Sequence, residues 1–269
     1  MLSNTSRILT YITAILYTIL GAALFLLHHQ LAPAFAWKVT AFMTMTIGGW
    51  CLGNAWLAWT VARRWKWQLV YPSLIYLWLF GAFELIVLVA FREKLVLAHP
   101  IAWLYLITLI VNVITALVGL MDWIRIRPAR ETAEKLTTAT HRNAVIFYIL
   151  FVGFLGVYGS TVQIGAPGTN GGIFPEVMSL FTLRSFGVFY LALTLPVAAL
   201  LRNRNLDTFL THAFASYGLI IFITLAAFIY IRLFDFASRP GGLAYFGAYL
   251  AVGIILFFEF RKSGTGAEG

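Results

Sequence analysis

Long apolar runs separated by short polar intervals set the pattern of this chain. The runs cover residues 8–27, 39–62, 69–91, 101–124, 144–164, 177–201, 208–231 and 243–260. Each is close to the roughly 20 residues that a helix needs to cross about 30 Å of hydrocarbon. Backbone in lipid must satisfy its own hydrogen bonds, and the segments of about ten alternating residues that mark a barrel are absent. The pattern predicts an all-α, polytopic integral membrane protein with eight transmembrane helices. The first run follows Arg7 and is too long for the apolar part of a signal peptide, so it reads as a retained span.

The longest polar interval, "RIRPARETAEKLTTATHRN", divides the runs into two sets of four. The expected organisation is a first membrane half over 1–124, a cytoplasmic linker over 125–143, a second half over 144–260 and a flexible cytoplasmic tail over 261–269. Glu131 lies four residues before Lys135, a pairing that supports a short surface helix in the linker. At an offset of 139, Phe35, Phe42, Gly48, Leu52 and Arg63 fall on Phe174, Phe181, Gly187, Leu191 and Arg202. Thr40 and Thr46 likewise fall on Ser179 and Ser185. Because four is an even number, such copies would be parallel four-helix repeats, related by an axis along the membrane normal.

Composition agrees, with 61% hydrophobic and only 11% charged residues against roughly 25% charged in soluble domains. The net charge of +9 would suggest nucleic acid in a soluble protein, but here the basic residues sit at the ends of the runs. Of 19 Lys and Arg, 13 fall on the side of the N-terminus and 5 on the other, with Arg184 inside a run. That asymmetry predicts cytoplasmic termini in a plasma (inner) membrane, and excludes nucleic acid as a partner. Trp37 and Trp103 at one face, with Trp59, Trp65, Trp67 and Trp123 at the other, suggest an interfacial aromatic belt. The lone Cys51 reads as a packing residue.

Ionisable residues inside the runs are few: Glu84, Arg184 and His212, with Asp122 and Glu259 near helix ends. Charges in the membrane are costly and usually face the protein interior or a cavity. Glu84 and Arg184 each lie seven residues from the outer ends of their runs, at a common depth of roughly 10 Å. They are the candidate site, as an ion pair that locks the halves together or as a ligand site open to the outside, with Asn54, Asn112 and Trp50 as candidate lining. Asp122 and Glu259 read as members of interfacial ion pairs with Arg125 and Arg261, close in sequence, and with Arg63 and Arg202 at the same depth. His212 has no second mid-span histidine as a mate for haem, and no zinc-ligand spacing links His28, His29 and His99. The segment "GAPGTNGGIFPE" lacks the Lys and Ser/Thr of a phosphate loop, and no hydrolase or zinc-protease motif is present.

These residues point away from catalysis, with no metal or catalytic residue assigned and the cofactor unknown. The leading expectation is a bilayer protein that binds or moves a small anionic or amphiphilic molecule. The alternatives are a non-catalytic accessory subunit with a membrane protein partner, and a redox or haem-binding subunit.

Overall fold

The computed structural model describes residues 2–128, 136–163, 173–174, 176, 178–237 and 241–265. Among them it is helical, with one isolated bridge between Leu136 and Asn205. Eight long helices succeed one another: α1 (Asn4–Leu26), α2 (Ala41–Arg63), α3 (Trp67–Ala90), α4 (Pro100–Ile126), α5 (Ala139–Thr161), α6 (Leu180–Ala198), α7 (Leu206–Ile229) and α8 (Gly241–Thr265). Five start at side-chain caps: Ser3, Thr40, Thr138, Ser179 and Asn205 accept from the N–H groups of Ser6, Met43, His141, Thr182 and Thr208. Each cap satisfies a backbone donor that the first helical turn leaves free.

Seven helices, all but α2, are long and apolar enough to cross a membrane, which fits a multi-pass integral membrane protein. The expected eighth run, α2, has the length but carries Thr44, Thr46, Gly48, Gly49, Gly53 and Asn54. It lies inside the bundle against α1, α3 and α7, with most of its side chains buried, so it needs little lipid-compatible surface. The long rows of exposed apolar side chains lie on other helices, such as Ile8, Ile12, Ile15 and Ile19 on α1 and Ile107, Ile110 and Ile114 on α4.

The helices alternate in direction. One end gathers residues 2–7, 62–68, 122, 136–137 and 203–208: Trp65 Nε1 donates to the Leu2 carbonyl at 3.2 Å, Thr137 N to Arg204 at 2.8 Å, and Thr208 Oγ1 to Gln68 at 2.7 Å. At the opposite end Val96 N donates to the Ala36 carbonyl at 2.8 Å and Thr40 Oγ1 to the Glu176 carboxylate. These are called the linker end and the far end below.

Boundaries recur between the halves. Both ends of α1 and α5 lie 135 residues apart, and both ends of α3 and α7 lie 139 apart. The starts of α2 and α6 also differ by 139, and short 3-10 turns follow α3 at Arg92–Lys94 and α7 at Ile231–Leu233. Packing recurs too: α1 lies on α2 as α5 lies on α6, α2 on α7 as α6 on α3, and α3 on α4 as α7 on α8. A Cβ at Gly48 would fall on the backbone of Leu24 and Phe25 in α1, and one at Gly187 on Gly159 and Ser160 in α5. Both glycines admit a neighbouring backbone that no larger residue would.

Other expectations change. The linker is shorter than 125–143, because α4 continues to Ile126, Arg127 closes it at a left-handed φ of 44°, and α5 already begins at Ala139. The helix expected around Glu131 and Lys135 lies outside the described residues, as does most of the glycine-rich segment 165–176. Helix α8 extends to Thr265, past the start of the expected tail. Trp37 and Trp65 are buried rather than part of a belt, while Trp59, Trp103 and Trp123 are exposed. Trp37 stacks on Phe181 with centroids 4.3 Å apart and donates Nε1 to Thr182 Oγ1 at 3.0 Å.

Candidate functional site

Glu84 and Arg184 are at similar depth, but the structure does not bring them together. Arg184 turns toward the end of α5 and donates to the carbonyls of Gly159 at 2.8 Å and Val162 at 2.9 Å. A cation suits that position, where the last carbonyls of a helix carry partial negative charge. Glu84 is 2% exposed, and its Oε1 accepts from Tyr105 at 2.8 Å. The residue of α6 that faces it is Ser185, whose hydroxyl approaches the carboxylate without closing a bond. Successive helical residues point about 100° apart, so Arg184 and Ser185 serve different neighbours.

Of Asn54, Asn112 and Trp50, expected to line a cavity with Glu84, Trp50 borders a small space beside it, while the two asparagines are buried and bonded elsewhere in the interior. Asn112 Nδ2 donates to Tyr17 at 3.0 Å and to the Leu77 carbonyl at 3.1 Å. Tyr76 donates to Asn54 Oδ1, and Trp50 stacks on Phe189 with centroids 4.4 Å apart. The space left beside Glu84, between Tyr17, Cys51 and Tyr105, is about 20 Å³, enough for a water and little else.

Asp122 was expected to pair with Arg125. Its carboxylate instead accepts from Ser3 N at 3.1 Å and from the hydroxyls of Ser3 and Ser6. An acid at the C-terminal end of α4 is unfavourable alone, but antiparallel packing sets it against the N-terminus of α1, where free N–H groups favour an anion. The side chain of Glu259 lies outside the described residues.

The ligand-sized space is in the second half. A cavity of about 490 Å³ lies between α5, α6, α7 and α8, within the range of small-molecule sites. Its walls include Tyr148 and Val152 of α5, Tyr190 of α6, Ile223 of α7 and Tyr249 and Val252 of α8. Thr140, Asn143 and Phe209 carry its lining toward the linker end. At the far limit, Tyr249 donates to Tyr190, which donates to Tyr245, at 3.1 and 3.2 Å, tying α8 to α6.

Two residues on one face of α7 bring unpartnered polar atoms into the wall of this apolar space. His212 is 4% exposed; its Nδ1 meets Ser73 Oγ at 2.8 Å, and its Nε2 has no protein partner. Ser216, one turn further on, is 8% exposed and its hydroxyl is also unpartnered. The sequence singled out His212 but offered it no mate. Its partner is the Ser73 hydroxyl on α3 rather than a second imidazole, and the spacing of four between His212 and Ser216 was the legible signal for the second group.

Among the described residues, no group of three His, Cys, Asp or Glu is placed to hold a metal ion. Comparison with known protein families, curated proteins and solved structures finds no match.

Proposed function

We propose that this chain is an eight-span membrane protein made of two parallel four-helix copies, and that the second copy binds a small amphiphilic, predominantly apolar molecule between α5, α6, α7 and α8. The observation that carries the binding reading is the cavity of about 490 Å³ with buried His212 Nε2 and Ser216 Oγ unpartnered at its wall. Buried polar groups are normally hydrogen-bonded, and one that is not invites a ligand. Of the anionic and amphiphilic classes, the lining favours the second, because no Lys or Arg is among its described residues.

The duplication is supported by the recurring boundaries and packing, and by one cross-contact in particular. Ser73 and His212 lie 139 residues apart and bond to each other, as equivalent residues close to a two-fold axis can. Even-numbered copies have the same orientation, and with 13 basic residues on the linker side both termini are cytoplasmic in a plasma (inner) membrane. A reporter fused after Lys262 should be active in the cytoplasm; an exported reporter would contradict the eight-span topology.

Binding is tested on protein purified in mild detergent, by organic extraction and mass spectrometry of what co-purifies. Ala213 is buried in the cavity wall, so Ala213→Phe fills the space without removing either polar group. Wild-type protein should carry an amphiphile that the variant has lost. Identical extracts from two equally folded proteins would end the binding reading.

A further inference from the structure

We propose that the molecule in this cavity is recognised by a neutral carbonyl-type oxygen, such as that of a long-chain ketone, ester or quinone, held by the Nε2–H of His212 and the hydroxyl of Ser216. The proposal rests on the cavity being a binding site and adds the chemistry that the site selects.

Proton accounting at the Ser73–His212 contact carries the step. Ser73 Oγ and His212 Nδ1 are 2.8 Å apart, and either could supply the proton. If Nδ1–H donated, the Ser73 proton would have no acceptor in this buried position, and Nε2 would present a bare lone pair as well. If Ser73 donates, its proton and the Nδ1 lone pair are both satisfied, and neutral His212 must carry its proton on Nε2. The second arrangement leaves fewer groups stranded, so His212 holds an unpartnered donor in the cavity wall. Ser216, with no protein acceptor for its own proton, presents another donor from the same face of α7.

Two donors one helical turn apart match the two lone pairs of a carbonyl oxygen. An alcohol that accepts from Nε2–H must either donate to Ser216 Oγ, leaving the serine proton without a partner, or accept from Ser216 as well and leave its own proton unpaired at these two groups. A carboxylate would bring a charge for which the lining holds no Lys or Arg among its described residues. The rest of the wall is predominantly apolar, so the body of the ligand is a hydrocarbon or an isoprenoid-like chain.

The test compares 2-hexadecanone, 2-hexadecanol and hexadecane as probes of the purified protein in detergent. Affinities come from ligand-dependent thermal stabilisation, and the infrared stretch of a carbon-13-labelled carbonyl reports hydrogen bonding directly. The ketone should bind about tenfold more tightly than the alkane, as one net hydrogen bond implies. Its carbonyl stretch should move to lower frequency in the site. Ser216→Ala should reduce the preference and part of the frequency shift while leaving hexadecane affinity in place, and His212→Phe should remove most of the remainder. Ser216→Ala leaves the Ser73–His212 bond intact, so it decides the matter even if His212→Phe folds poorly. Equal affinity for ketone and alkane, or a preference unchanged in Ser216→Ala, would overturn the proposal while leaving the cavity a binding site. Tighter binding of the alcohol would overturn the proton assignment. Failure of all three probes to bind would overturn both this proposal and the reading on which it rests.

Discussion

In the first half, α4 lies against α1, and the interior beside them is occupied by Tyr17, Glu84, Tyr105 and Asn112. In the second half no comparable contact joins α5 to α8 among the described residues, and the corresponding interior is an open space of about 490 Å³. The linings of the two spaces share five positions under the offsets at which the helix boundaries recur. Tyr17 and Leu20 correspond to Val152 and Leu155 at an offset of 135, and Cys51, Phe80 and Glu84 to Tyr190, Leu219 and Ile223 at 139; all ten line their own half's space. What differs is polarity. Thr13 and Thr115 bond at 2.9 Å and Asn112 reaches Tyr17, drawing α4 onto α1. The counterparts of Thr13 and Tyr17 are Tyr148 and Val152, facing Val252, Ile255 and Leu256 of α8. Apolar faces gain nothing from each other that lipid does not also offer, so polar ties and close packing decide which helices meet in a bilayer. Without such ties, α8 is free to stand away from α5.

The largest effect should come from the contacts that both halves share. Gly187→Leu forces α6 from α5, and Gly48→Leu forces α2 from α1, and each should cost about 3 kcal/mol, the upper end for overpacking. Denaturant-induced unfolding in detergent should show similar losses; a large loss in one copy and none in the other would break the equivalence of the two interfaces.

The next effect separates the halves. Asn112→Val leaves the Tyr17 hydroxyl and Leu77 carbonyl without this partner, for a loss of about 2 kcal/mol. Ala213→Phe, in the open half, enters empty space and should instead raise stability by up to about 1 kcal/mol in ligand-stripped protein. If Ala213→Phe destabilised as much as Asn112→Val, the second half would be closed in solution and the contrast would fail.

This contrast also marks what the sequence could reveal. The helices were legible because apolar runs of spanning length have few alternatives, and the caps Thr40 and Ser179 aligned even before their role was evident. Depth along a helix was legible as well, which is why Glu84 and Arg184 came out at one level. Direction around the axis was not. A single step from Arg184 to Ser185 changes which helix a side chain meets, and that depends on how neighbours are rotated. The cavity was less legible still, because Tyr148 and Val152 read as ordinary lipid-compatible residues until the separation of α5 and α8 is known.

The smallest effect tests the comparison at the far end, where each half reaches into the other through equivalent residues. Trp37 of the first half donates to Thr182 at the start of α6, and Glu176 of the second half accepts from Thr40 at the start of α2. Trp37 and Glu176 are 139 residues apart, so the two contacts are counterparts with different chemistry. Burial raises the Glu176 carboxyl above its ordinary range, and the Thr40 hydrogen bond only partly opposes this. A carboxyl whose pKa is raised by folding binds its proton more tightly in the folded state, so its contribution is complete below the ordinary glutamate value and is lost as pH rises through the higher folded value. Glu176→Gln, which keeps an acceptor for Thr40 without the charge, should flatten that decline in unfolding measurements across the window. Trp37→Phe removes a neutral contact and should lower stability equally at every pH in it. A Glu176→Gln profile that still declines in parallel with the wild type would show that the titrating group lies elsewhere.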